Sequence, residues 1–198
     1  MIVLDFYNNK RKPINGTCEH CKQHNTSPAW CQLCDPQKTT QEIGSGDKNI
    51  DDCIKEFQLK ATAYEKVIEW IPFNRLIDIK IIGKGGFGTV YSSIWLDGKR
   101  VIEGDDSVGY LKPISSSFLT EFKNHMKCRL EGSELEIYGL TQNTETGQYM
   151  MVYQYANRGN LFDFLSQYFR KLTWQKKLKQ LEDISYNLSR IHEAGLIH

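Results

Sequence analysis

Two spacings of apolar residues organise this chain. From residue 76 onward, short runs of β-branched and aromatic residues alternate with polar ones, the period of strands that bury one face. Such runs cover 76–82, 89–95, 108–112, 135–140 and 149–152. Elsewhere apolar residues return every three or four positions, the period of helices with one buried stripe. Ser115-Ser116-Ser117 is a natural helix start, and Phe118, Leu119, Phe122 and Met126 form the inward face that follows. A short helix is predicted over 161–169. A longer one carries Trp174, Leu178, Leu181, Ile184, Leu188 and Ile191, with Thr173 as its cap and Gly195 at C′. Ahead of the strands, Ile50, Ile54, Phe57, Ala61, Tyr64 and Ile68 predict a helix capped by Asn49, with Asp51 and Asp52 in its first turn and Pro72 as its stop.

Between the first two strands lies Gly83-Lys84-Gly85-Gly86-Phe87-Gly88-Thr89-Val90, with glycines at G-x-G-x-x-G spacing. Glycine accepts positive φ and has no Cβ, so such a loop folds tightly and lays backbone N–H groups against phosphates. A dinucleotide-binding loop shares the spacing but runs into a helix. Here the loop runs into Thr89-Val90-Tyr91-Ser92-Ser93-Ile94-Trp95, which reads as a strand. Strand, glycine turn, strand is a hairpin lid over a nucleotide; the alternative is a glycine hairpin without a ligand. At these residues the sequence resembles a protein kinase, whose loop carries G-x-G-x-x-G-x-V.

The resemblance extends over 76–198 and is nearest the tyrosine-kinase-like group. It implies an α+β fold: a protein-kinase N-lobe, made of an antiparallel sheet and the helix called αC, with the first helices of the C-lobe. Val108-Gly109-Tyr110-Leu111-Lys112 stands where kinases read V-A-x-K, so Lys112 matches the lysine that holds the α- and β-phosphates. Glu121 matches its αC partner, although it follows Lys112 by fewer residues than is usual. Tyr110 replaces a small residue that lets adenine lie close. Val152 through Leu161 resembles the hinge between lobes, with Tyr153 bounding the back of the adenine pocket and Gln154 in place of the usual Glu. The implied ATP site is Gly83, Lys84, Gly85, Gly86, Phe87, Gly88, Val90, Lys112, Glu121, Tyr153, Gln154 and Tyr155, binding ATP with Mg²⁺ for transfer to Ser/Thr or Tyr of a protein.

His198 matches the histidine that opens the catalytic loop. The residues that follow it in kinases are the aspartate accepting the substrate proton, the loop asparagine and the Mg²⁺-holding aspartate, and no residue here takes their roles. The expectation is that these 198 residues alone lack useful kinase activity. They read as a fragment of a longer kinase; the alternative is a functional short protein. The stripe from Trp174 to Ile191 is then expected to face water as an apolar patch.

The first 47 residues carry different chemistry. Cys18-Glu19-His20-Cys21 and Cys31-Gln32-Leu33-Cys34 are two C-x-x-C pairs nine residues apart. Each turn presents two thiolates to one ion, so Cys18, Cys21, Cys31 and Cys34 suit tetrahedral Zn²⁺ in a closed, structural site. His20 or His24 replacing one thiolate, and a cysteine-rich loop without metal, are the alternatives. No βαβ pattern surrounds the pairs to suggest a redox dithiol. Pro28 and Trp30 are expected to pack over the site, residues 1–17 to be frayed, and 35–48 to form a linker. The order C-x-x-C, W-C-x-x-C, W-I-P-F and then the glycine loop is similar to a large family of fungal kinase-like proteins.

Three segments result: a Cys-rich segment and linker over 1–47, a helix and lead-in over 48–75, and a partial kinase domain over 76–198. A net charge of +1 gives no footprint for nucleic acid or an anionic membrane. No apolar run reaches the length of a spanning helix, and Asp5 ends the only apolar start, so a cytoplasmic, reducing location is the default. Three function classes fit: an ATP-binding protein kinase acting on a protein substrate, an inactive kinase-derived module that contacts a partner kinase, and a zinc-binding adaptor.

Overall fold

A computed structural model of the chain describes residues 11–39, 44–85, 88–99, 108–113, 118–130, 136–156, 160–193 and 195, with 85, 88 and 108–113 described by backbone alone. The strands are β1 (Glu69–Trp70), β2 (Leu76–Gly85), β3 (Gly88–Trp95), β4 (Val108–Pro113), β5 (Ile137–Gln142) and β6 (Tyr149–Gln154). They form one sheet in the order β1-β5-β6-β4-β3-β2, antiparallel except for β1, which lies parallel to β5. The helices are α1 (Asp35–Thr39), α2 (Lys48–Lys60), α3 (Phe118–Leu130), α4 (Leu161–Tyr168) and α5 (Trp174–Glu193). This is the expected α+β architecture, a kinase N-lobe sheet with its helix and the early C-lobe helices.

Alternation along β6 divides the core between the two faces of the sheet. Met151 and Tyr153 join Ile137 and Leu140 of β5 under α2 and α3. Met150 and Val152 point the other way, to Ile71, Leu76, Trp95 and Tyr138. The first face is the larger, because α2 adds Ile50, Cys53, Ile54 and Phe57 and α3 adds Phe118, Phe122 and Met126. The phenylalanines interlock: Phe57 meets Phe122 edge-on with centroids 5.8 Å apart, and Phe118 stacks on Tyr149 at 5.3 Å.

Several local expectations are corrected. The cap of α2 is Asp47, whose carboxylate accepts the Asn49 N–H at 2.8 Å and the Tyr149 hydroxyl at 3.3 Å; Asn49 lies inside the helix. The helix ends at Lys60 and not near Pro72. Beyond it Ala61 is extended, Tyr64–Lys66 is a 3₁₀ turn, and the Gln58 amide donates to the Ile68 carbonyl at 2.9 Å. That reversal brings Glu69 and Trp70 alongside β5, a long-range pairing that overrides helical periodicity. Asp35–Thr39 of the expected linker is helical, with Pro36 buried, and Arg11 to Thr17 are tied down by bonds to His24 and Asn25. The serines 115–117 lie outside the described residues.

The two last helices follow the sequence closely. The Lys176 N–H bonds the Thr173 hydroxyl at 3.4 Å, and Gly195, at φ 73°, donates its N–H to His192. Trp174, Leu178, Leu181, Ile184 and Leu188 are all exposed, from 38% to 72%. No helix among the described residues is long and apolar enough to cross a membrane.

Candidate functional site

The glycine sequence forms the hairpin between β2 and β3. Gly83 pairs with Val90, Lys84 with Thr89 and Gly85 with Gly88; the turn residues Gly86 and Phe87 lie outside the described residues. Two register shifts interrupt β2, and Asp78 takes a positive φ of 53° beside the first. The chain therefore leaves the glycines as a strand, which separates this loop from a dinucleotide-binding turn.

The next strands bring the other predicted residues to the same sheet. β4 lies between β3 and β6, with Leu111 opposite Tyr91 and Lys112 opposite Met151. Directly opposite residues share a face of a sheet. Position 112 is thus on the face of Met151, which packs beneath Phe122 and Met126 of α3. Tyr110 pairs with Tyr153. The side chains of Tyr110 and Lys112 lie outside the described residues.

α3 supplies Glu121 in its first turn, half-buried, with His125 one turn later at 3.9 Å from the carboxylate. The His125 ring meets the Tyr153 ring edge-on at 5.7 Å. Tyr153 is buried, and its hydroxyl lies 2.8 Å from the Met151 sulfur. Burial, and then the Glu121 carboxylate, push its phenol pKa well upward. Glu121, His125 and Tyr153 thus form a continuous line from α3 to the end of β6. Sequence reading named the first and last of these and missed His125; its place four residues after Glu121 was the available signal. Gln154 is exposed and its N–H is already taken by the Glu136 carbonyl at 2.9 Å. Tyr155 follows it at the strand end, while 157–159 and His198 lie outside the described residues.

A second cluster sits in the N-terminal segment. The sulfurs of Cys18, Cys21, Cys31 and Cys34 all lie within 4.8 Å of one another, and Cys21 Sγ is 3.7 Å from Cys31 Sγ. Tetrahedral zinc with bonds of about 2.3 Å holds its sulfurs about 3.8 Å apart, so the donor set fits that ion. Burial, and then hydrogen bonds from the other three thiols, push Cys34 up to about 12, and a bound cation would favour its thiolate. Each pair is shaped by its backbone. Lys22 N–H returns to the Cys18 carbonyl with Lys22 at φ 58°, and the Asp35 carboxylate accepts the Cys31 N–H at 2.6 Å. An Arg11 guanidinium nitrogen lies 3.7 Å from Cys31 Sγ. Asp35 and Arg11 were not foreseen. His20 and His24 are exposed and outside the cluster. Pro28 is exposed, and Trp30 packs on Ala61, Val67 and Tyr64 and not over the cysteines, correcting the expected cover.

Comparison with known proteins agrees with the sheet and its helix. Residues 76–198 match the family profile described as protein tyrosine and serine/threonine kinase. The chain belongs to this kinase family. Among curated relatives it is 28% identical to a G-type lectin S-receptor-like serine/threonine-protein kinase of Arabidopsis thaliana, over 70% of this chain and 16% of that protein. It is 32% identical to wall-associated receptor kinase-like 10 of the same plant, over 59% of this chain and 15% of the relative. Wall-associated receptor kinase 2 is 27% identical over 78% of this chain and 20% of its own length, a share larger than the kinase segment alone. The chain thus spans at most about a fifth of these relatives.

Proposed function

We propose that residues 76–198 bind ATP with Mg²⁺ between the β2–β3 hairpin, Lys112 of β4 and the Tyr153–Tyr155 hinge, with Glu121 positioning Lys112. What supports this reading is that β2, β3, β4 and β6 are neighbours in one sheet, and that His125 of α3 touches both Glu121 and Tyr153. Transfer of the γ-phosphoryl to Ser, Thr or Tyr of a protein is the activity proposed for the whole protein. Within the kinase family, the C-x-x-C, W-C-x-x-C and W-I-P-F order supports membership of the fungal kinase-like branch, with the three-segment division at 47 and 75. The four cysteines would hold a structural zinc ion, which supplies cross-linking to a segment with little core of its own. Four cysteines gathered as a metal-type cluster and not as disulfides support a reducing, cytoplasmic setting for this segment.

A charge-assisted contact to phosphate is worth roughly 1.5–3 kcal/mol. Lys112→Ala is therefore expected to weaken ATP binding about 10- to 150-fold while leaving the fold intact. Titration of a fluorescent ATP analogue measures it, and equal affinities would remove Lys112 from the site. The second reading, a kinase-derived interaction module, draws support from the exposed apolar stripe on α5. A strictly monomeric chain that binds no hydrophobic dye would count against it.

A further inference from the structure

Residues 61–68 lie between the cysteine cluster and the kinase helix α3 and touch both. On one side Trp30, 1% exposed and adjacent to Cys31, packs on Ala61, Val67 and Tyr64, and the Ser27 hydroxyl bonds the Thr62 carbonyl at 3.4 Å. On the other side Arg129, in the last turn of α3, donates to the Lys66 carbonyl at 3.2 Å and lies 3.5 Å from the Glu136 carboxylate; its side chain is 7% exposed. Ile68 and α2 complete the grip, burying Ile54 and Phe57 against Phe122 of α3. Segment 61–68 is therefore held between the knuckle and the helix that carries Glu121.

We infer that metal occupancy of the four-cysteine cluster sets the order of α3, and with it the position of Glu121, with Trp30 and Arg129 as the links. This rests on the zinc reading above. The physical argument is one of shared order. Residues 11–39 bury only the three cysteines, Trp30, Asn25 and Pro36, too little to fold without a cross-link. When the ion is removed, Trp30 loses its fixed neighbour Cys31 and leaves the hollow formed by Ala61 and Val67. The turn then loosens, and the Lys66 carbonyl no longer holds the buried guanidinium of Arg129. A binding event that orders one site thereby lowers the cost of order at the other.

Hydrogen exchange of the 198-residue chain, with one equivalent of zinc and after chelation, tests this directly, with metal content measured in parallel. Zinc is expected to slow exchange in 118–130 by at least about fivefold, the low end of typical coupling between sites. In Trp30→Ala and in Arg129→Met the slowing in 118–130 is expected to disappear. Arg129→Met leaves the knuckle untouched, so its zinc content and its protection over 18–34 should persist. Zinc binding that protects 18–34 but leaves 118–130 unchanged overturns the inference and leaves the zinc reading standing. A chain that takes up no metal overturns both. Persistence of the effect in both variants overturns the links.

Discussion

Gly139 is glycine because another strand occupies the place of its side chain. A Cβ there would stand 1.9 Å from the Glu69 carbonyl oxygen, where β1 lies against β5. Gly139→Ala must push β1 away or shift β5, and is expected to cost roughly 1–3 kcal/mol, as overpacking does. Denaturant unfolding measures it; an unchanged midpoint would mean that β1 does not dock. Nothing near Gly139 in sequence reveals this, because its constraint comes from a residue 70 positions away. Tyr153 was expected at the back of an adenine pocket from the resemblance alone, and its packing on His125 was not legible. Its raised pKa also has a consequence. The folded chain keeps the phenol proton where the unfolded chain, with a pKa near ~10, loses it. The stability it contributes is full below that pH and declines as pH rises through the folded value. Tyr153→Phe should therefore flatten the loss of stability of the wild-type chain above about pH 10, and identical pH profiles for the two would show that the phenol titrates freely.

At the level of elements, strands and helices were legible wherever one face is buried, since period then follows from burial. The helix over 49–71 was overread because Ala61, Tyr64 and Ile68 keep helical spacing while serving two clusters, one around Trp30 and one beneath α3. The cysteine pairs were legible because ligand spacing is local, whereas the Trp30 contact is not. Phe57 decides how firmly α2 holds α3, being 4% exposed and edge-on to Phe122. Phe57→Ala is expected to cost about 3–5 kcal/mol, a large share of a typical domain's stability. Calorimetry would register it, and a loss below about 1 kcal/mol, the cost of an average substitution, would mean that α2 is a passive neighbour. Removing zinc with a chelator should unfold 11–39 cooperatively, seen as loss of the Trp30 emission shift, since structural zinc contributes about 10–16 kcal/mol; unchanged emission would separate the metal from the fold.

The described residues are a kinase N-lobe sheet with its helices, the early C-lobe helices and a four-cysteine knuckle. α2 packs beside α3 over the same face of the sheet, and the knuckle reaches this assembly through Trp30, which packs on Ala61, Tyr64 and Val67. An antiparallel sheet with one helix was expected from the resemblance to kinases; the strand order comes from the structure. The parallel strand β1 was not expected, because two residues give no periodic signal. The central claim is that this sheet binds nucleotide, and thermal unfolding of the 198-residue chain with and without ATP and Mg²⁺ tests it most directly. At a ligand concentration 100 times the dissociation constant, stabilisation is about 2.7 kcal/mol, which raises the midpoint of a domain this size by about 5–10 °C. The account predicts that rise, and its reduction in Lys112→Ala. A midpoint that does not move with millimolar ATP, in a chain shown to be folded, would contradict it.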